Sequence, residues 1–286
     1  MKGEHAIVLL CELLRVSRSG YYRWSGAPVT ARKRKDAVLA AKIAVHHRQS
    51  RGNYGSPRIV ADLREEGLRT SRRRCARLMK ELGLKGRKKH RRRPRTTDSR
   101  HHQPVAPNVL ALVEKPSAPN QVWVTDITYL QTGEGWLFLA VILDVWSRRV
   151  VGWACAPTMA SSLVLAALRA AIKNRKPSQG LVHHSDRGSQ YVDHEYVADL
   201  QEAGIARSMS RAGNCYDNAT MESFWSNFKT ETEMDVTPPP TRELARLAIF
   251  DHIETFYNPK RRHSSLDYLS PVAFEKLHVK INRSAA

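Results

Sequence analysis

The sequence predicts two parts of different class: an all-α, strongly basic N-terminal region of helix-turn-helix character, then a mixed α/β domain. Two observations predict this. The net charge of +20 resides entirely in residues 1–100, which hold 28 Lys and Arg against 8 Asp and Glu, whereas residues 101–286 hold 19 of each. Periodicity changes with the charge. The basic half carries apolar residues at helical spacing, and the neutral half opens with alternating β-branched and aromatic runs. Such a chain, long enough for two or more domains, suits a polyanion-binding module attached to something else. Charge alone leaves the polyanion open between DNA and RNA. Cys11, Cys75, Cys155 and Cys215 form no Cys-x-x-Cys pair, so neither a zinc knuckle nor a disulfide framework is indicated. No apolar run reaches membrane-spanning length and the first residues lack a signal-peptide pattern, so a reducing, cytoplasmic setting is expected.

In the basic part, Ala6 to Leu14 is an apolar helix candidate, and Val16 to Trp24 a second in which Ser17 supplies the N-cap. Together they make a small helix-turn-helix-like unit over residues 1–27, with Tyr21, Tyr22 and Trp24 expected to close its core. Residues 30–85 form a basic helical domain. An Ala-rich helix spans 31–48. Ser56 is expected as the next N-cap, with Pro57 at the first helical position and Gly67 just past the end. Ser71 caps the helix after it, whose apolar stripe is Cys75, Leu78, Met79 and Leu82, with Arg73, Arg77 and Lys80 opposite. Two short helices, the second armoured with arginine, fit a DNA-reading helix-turn-helix; a solvated basic face is the plainer alternative. Residues 86–119 read as a linker. Its polybasic start, with Arg87, Lys88, Lys89, Arg91, Arg92 and Arg93, suits phosphates without reading sequence.

Asn120 to Leu130 alternates as a strand should, yet Asp126 stands in its middle against β propensity, and such violations tend to mark function. Turn residues 132–136 lead to a hairpin. Two further strands follow, with Asp144, Ser147 and Arg148 at the turn between them. Then come a helix (161–174), a short strand running into a polar turn at Asp186, a helix, and a strand at 205–210. The order is three strands, helix, strand, helix, strand, helix: antiparallel first, then alternating. In the last of these helices Met221, Phe224, Trp225 and Phe228 make one apolar stripe, with Glu222 and Lys229 projecting together at its edge. A carboxylate held there can ligate a metal and a lysine can meet a phosphate; taken alone, the helix also reads as an ordinary amphipathic one. Residues 236–286 add a helix from Thr241 to Tyr257, a basic loop of Lys260, Arg261, Arg262 and His263 placed against phosphates or simply solvated, and a last short helix from Ser270 and Pro271.

One Asp lies mid-strand, a second ends a later strand, and 35 residues (187–221) separate it from Glu222 on a helix. This resembles the Asp, Asp-35-Glu signature of the ribonuclease-H-like integrase core shared by retroviral integrases and many transposases. TDITY around Asp126, HSDRGSQY around Asp186 and GNCYDNATMESFWSNFKTE around Glu222 resemble the insertion-sequence transposases of the second-reading-frame (OrfB) type. So do VSRSGYYRW, YGSPRI and YNPKRRHSSLDYLSP, and the resemblance covers nearly the whole chain.

The resemblance implies a ribonuclease-H-like catalytic core over residues 120–235 with a mixed five-stranded sheet. It implies a bacterial, nucleoid-associated transposase that cleaves DNA at element ends and transfers the freed 3′-hydroxyl. Asp126, Asp186 and Glu222 would be both the catalytic residues and the ligands of two Mg²⁺ ions, for which Mn²⁺ substitutes. Lys229 would touch the substrate backbone. Read from the residues themselves, His184 beside Asp186 donates to a phosphate, supports a carboxylate or makes a structural hydrogen bond, and Asn218 caps the helix or orders the loop over the site. The implied partners are double-stranded DNA (terminal inverted repeats and target), further copies of the chain on that DNA, and the product of an upstream frame. A departure from retroviral integrases is the zinc module: adjacent His46 and His47 with isolated Cys11 and Cys75 assemble no such site, so no zinc is expected. The rival readings are a non-catalytic DNA-binding regulator and a structure-selective nuclease of the same fold.

Overall fold

The computed structural model describes residues 6–26, 30–87, 106–110, 113–210 and 219–284. The chain forms two compact units, one of residues 1–49 and 55–85, the other of residues 50–54 and 86–286.

The first unit is helical: α1 (Ile7–Leu13), α2 (Arg18–Ser25), α3 (Ala31–Gln49), α4 (Ser56–Glu65) and α5 (Arg72–Glu81). Ser17 and Ser71 cap α2 and α5 as expected, their hydroxyls accepting from Gly20 and Arg74 N–H at 3.0 and 3.2 Å. Ser56 does not cap α4. The helix begins at Ser56 itself, and extended Gly55 takes the cap position with Pro57 in the first turn. Leu39, Ile43, Ile59, Val60, Leu63, Cys75, Leu78 and Met79 are buried. Leu82 is exposed, because it is the C-cap residue and lies past the last turn of the stripe. Tyr22 and Trp24 also fail to close a core. They are 56% and 76% exposed and, among the described residues, their ring contacts are with Tyr21, as an eight-residue helix offers little to bury them against.

The second unit holds β1 (Val122–Thr132), β2 (Gly135–Asp144), β3 (Val150–Ala156), α6 (Ser161–Arg175), β4 (Val182–Ser185), α7 (His194–Glu202), β5 (Ala206–Met209), α8 (Ala219–Thr232), α9 (Arg242–Phe250) and α10 (Pro271–Ser284). The sheet order is β3-β2-β1-β4-β5. The first three strands are antiparallel, while β4 runs parallel to both β1 and β5. This is the ribonuclease-H-like arrangement expected from the sequence. Alternation splits the sheet cleanly. Trp123, Ala140 and Ile142 face a core with α6 and α7, whereas Val124, Leu139, Val141 and Leu143 face one with α8 and α9. The helix foreseen at 241–257 is α9 followed without a break by a π-helical stretch, Asp251–Tyr257, and Thr241 caps it. Residues 242–257 also help to close the second core, through Ala245, Ile249, Ile253 and Tyr257. The last helix is 14 residues long, not short.

Helix α6 crosses β3 so closely that a Cβ on Gly152 would stand 2.4 Å from the Ala167 carbonyl oxygen and 2.7 Å from the Ala171 Cβ. Backbone cannot yield as a side chain can. Gly152→Ala is therefore expected to destabilise the protein by about 1–3 kcal/mol, the usual range for overpacking. Urea-unfolding midpoints check this, and an unchanged midpoint would mean that α6 can slide.

Candidate active site

Strand register brings two of the three acids near one another. Parallel pairing sets Val122 against Val182 and Val124 against His184; Asp126 follows two residues on in β1 and Asp186 just past the end of β4, near enough for the Asp186 charge to act on Asp126. Neighbouring strands are about 4.8 Å apart. Asp126 shares its face with Val124, the face that α8 covers with buried Met221, Phe224, Trp225 and Phe228. That stripe docks α8 on the sheet, which is the packing role the sequence reading gave it.

Each aspartate is held by donors. Asp126 Oδ1 accepts from Ile127 N–H at 2.8 Å and its Oδ2 from the Trp225 indole N–H at 3.0 Å. Asp186 Oδ1 accepts from Gly188 N–H at 3.0 Å. Trp225 thus ties α8 to the mid-strand acid. Sequence reasoning gave it only a packing role, and nothing in the stripe marks one aromatic residue as a donor. Burial pushes the Asp126 carboxyl up to about 7, the Asp186 charge adds to this, and Glu222 contributes last; the Ile127 and Trp225 hydrogen bonds oppose the shift. Glu222 itself is exposed near the start of α8.

Among the described residues, no three His, Cys, Asp or Glu side chains stand close enough together to hold a metal ion. The donor chemistry nevertheless fits a hard divalent cation. The groups are carboxylate oxygens, and two of them raise the pKa of a third, which a cation would reverse. A pH dependence follows. The folded pKa of Asp126 lies above its ordinary 3.8, so its contribution to stability is full below about 4 and is lost as pH rises through about 7. Without divalent cations, the melting temperature of the wild type should fall by several degrees relative to Asp126→Asn between pH 5 and 8. Parallel melting profiles would remove the electrostatic coupling on which the site rests.

Lys229 lies against the Tyr129 ring (5.6 Å) and 3.6 Å from the Asp235 carboxylate. His184 is fully buried. Its Nδ1 and Nε2 stand 2.8 and 3.0 Å from the Ser208 and Ser210 hydroxyls, so it serves β4–β5 packing and presents no donor to a phosphate. Asn218 lies outside the described residues, as do Lys88, Lys89, Arg91, Arg92 and Arg93. Arg87 is turned inward onto α8, its guanidinium paired with Glu233 at 2.9 Å and donating to the Glu231 carbonyl.

The basic candidates in the first unit divide. Arg73 and Lys80 are exposed. Arg77, although exposed, spends its guanidinium on Asp36 and Glu81 at 2.6 Å each. The loop at 260–263 is corrected more sharply. Only Lys260 is exposed; Arg261 is 1% exposed and paired with Glu231 at 2.6 Å. Arg262 is buried and donates to the Tyr268 carbonyl, and His263 lies half-buried on Tyr257. Two of the four cations hold the fold rather than meet phosphate. A signal for this existed, since Glu231 continues the apolar stripe of α8 seven residues after Phe224, where a carboxylate needs a buried partner.

Comparison with known proteins adds to this geometry. The family described as Integrase core domain matches residues 116–215, a second family of the same description matches 203–271, and an HTH-like domain matches 33–93. An insertion element IS600 31 kDa protein of Shigella sonnei is 46% identical over 94% of this chain and 98% of its own length. Transposase InsF for insertion sequence IS3A of Escherichia coli (strain K12) is 38% identical over 96% of this chain and 95% of its own. Among solved structures, the HTLV-2 integrase catalytic core domain in complex with magnesium covers 56% of this chain and 99% of that one, at 16% identity and a TM-score of 0.42.

Proposed function

Because the chain belongs to the IS3-type insertion-sequence transposases, we propose that Asp126, Asp186 and Glu222 are its catalytic centre and that it cleaves and rejoins DNA there. The observation that supports this is the β1–β4 register, which leads to Asp126 in β1 and Asp186 just past β4, with the helix that bears Glu222 packed on the Val124 face of the sheet. These three carboxylates would hold two Mg²⁺ ions, or Mn²⁺ in their place, with no zinc involved. When bound, such ions supply positive charge where the attacking and leaving oxygens of a phosphodiester become negative.

The chain's own residues do the rest. Asp126 on β1, Asp186 just past β4 and Glu222 on α8 would hold the cations, and the rigid elements that carry them keep that spacing constant. Trp225 and the Ile127 and Gly188 amides aim the aspartates. Lys229 meets the substrate backbone. Water attacks a phosphodiester at the element end, breaks its bond to the 3′ oxygen, and leaves a 3′-hydroxyl and a 5′-phosphate. That hydroxyl then attacks a second phosphodiester, joining one strand and releasing another 3′-hydroxyl, so bonds are conserved and no covalent protein intermediate is needed.

The substrates are double-stranded terminal repeats and target DNA. The helical unit supplies affinity through exposed Arg73 and Lys80, and Arg77 joins them if it leaves Asp36; Lys88, Lys89, Arg91, Arg92 and Arg93 add phosphate contacts. Holding two ends calls for more than one copy on DNA, and the upstream-frame product is the natural partner for end recognition. Association with the bacterial nucleoid follows from these partners. The test is incubation with terminal inverted-repeat DNA and Mg²⁺. Joined products are expected, and hydrolysis alone under every condition would favour a nuclease instead.

A further inference from the structure

The YNPKRRH loop was expected at the DNA, yet its central arginine is buried. Arg261 Nε donates to both oxygens of Glu231 at 2.8 Å, and a terminal nitrogen lies 2.6 Å from Oε1. The pair is walled in. Arg261 sits over the Tyr257 ring at 5.7 Å and beside His263 at 3.3–3.4 Å. His252 faces the other Glu231 oxygen at 3.8 Å and stands edge-on to Phe228. Burial holds the His252 pKa down to about 4, so it remains neutral and leaves Glu231 to Arg261. Burial also works against the Arg261 charge, but Glu231 more than offsets it and the arginine stays cationic.

Glu231 belongs to the same helix as Glu222, nine residues on, and lies two residues past Lys229. A stripe of aromatic side chains holds a helix against a sheet but resists rotation and sliding weakly, since apolar contact is non-directional. A planar guanidinium fork has one geometry. Buried ion pairs add little net stability compared with apolar replacements of similar volume, and their attested use is to fix register. Resting on the catalytic reading above, we propose that Arg261 and Glu231 form a clamp that sets the axial position and rotation of α8, and so places Glu222 and Lys229 opposite Asp126. Both are positioning residues; neither touches DNA or metal.

Three variants test this: Arg261→Lys, Arg261→Met, and the double replacement Glu231→Met with Arg261→Met, which leaves no buried charge unpaired. Strand joining on terminal-repeat DNA is measured together with Mn²⁺ binding to metal-free protein by calorimetry, DNA affinity, and melting temperature. Loss of an orienting partner of a metal site typically costs about 10–100-fold. The double variant should melt near the wild-type temperature and bind DNA within about twofold, yet join strands and bind Mn²⁺ at least about tenfold less well. Arg261→Lys, which keeps the charge but not the fork, should fall between it and the wild type. A folded double variant with wild-type joining and wild-type Mn²⁺ affinity overturns the clamp. If the double variant does not fold, Arg261→Lys decides by the same two readings. A large loss of DNA affinity on Arg261→Lys, with Mn²⁺ binding intact, would return the arginine to the DNA and also overturn the proposal. Wild-type protein that binds Mn²⁺ but never joins strands would defeat the catalytic reading alone, since Mn²⁺ affinity still reports on the clamp.

Discussion

Asp126→Asn and Glu222→Gln should each lower strand joining by at least about 10³-fold, equivalent to about 4 kcal/mol of transition-state stabilisation, while DNA affinity changes by less than about twofold. The substitutions are nearly isosteric. In Asp126→Asn the side-chain oxygen can still accept from the Trp225 indole and the packing of α8 is untouched, so the fold survives. What disappears is the negative charge that a divalent cation requires. Phosphodiester exchange has little covalent work for the protein to do and depends on charge placed at the attacking and leaving oxygens, so a missing carboxylate acts on the chemistry rather than on binding. Cleavage and joining are scored on labelled terminal-repeat duplexes and binding by retardation of the same duplexes. If either variant joins strands at near wild-type rate, that residue is not part of the centre.

The second large effect is on stability and arises at Asn258. Its Oδ1 accepts from Val150 N–H and its Nδ2 donates to the Val150 carbonyl, both at 2.9 Å, and the residue is 5% exposed. The side-chain amide thus imitates a neighbouring strand at the start of β3. Removing it leaves a buried N–H and a buried C=O unsatisfied, at about 1–3 kcal/mol each. Asn258→Ala should therefore cost about 2–6 kcal/mol, read as a fall of roughly 5–20 °C in melting temperature for a domain of this size. Asn258→Asp should do no better, because it can still accept from the N–H but sets a second acceptor against the Val150 carbonyl. A loss below about 1 kcal/mol in the alanine variant would show that water or a backbone shift replaces the amide.

Much of this molecule was legible beforehand because its signals are local. The alternation at Val122–Thr132, the intruding Asp126 and the stripe of α8 each follow from a period within one element, and the structure keeps them. The serines at 17 and 71 cap because a cap needs only its own first turn. Where the role of a polar side chain was misread, the deciding partner was far away in sequence. Arg261 reads as a surface cation until Glu231, 30 residues earlier, is brought against it. Arg77 reads as a phosphate contact until α3 delivers Asp36. Trp225 looks like any aromatic residue of its stripe, since its donor role depends on a strand 99 residues away. Charge neutralised inside the fold leaves no trace in a count of charges.

The strand order has a consequence in time. The hairpin of β1 and β2 and its extension to β3 join residues close in sequence, and such contacts form early. The two aspartates meet only when β4 closes on β1 across some 60 residues, and non-local pairings of that kind form slowly. Glu222 arrives later still on the chain, on a helix whose fixing partner lies at 261. A partly folded or partly synthesised chain can carry its basic helices complete while its cutting centre is unmade.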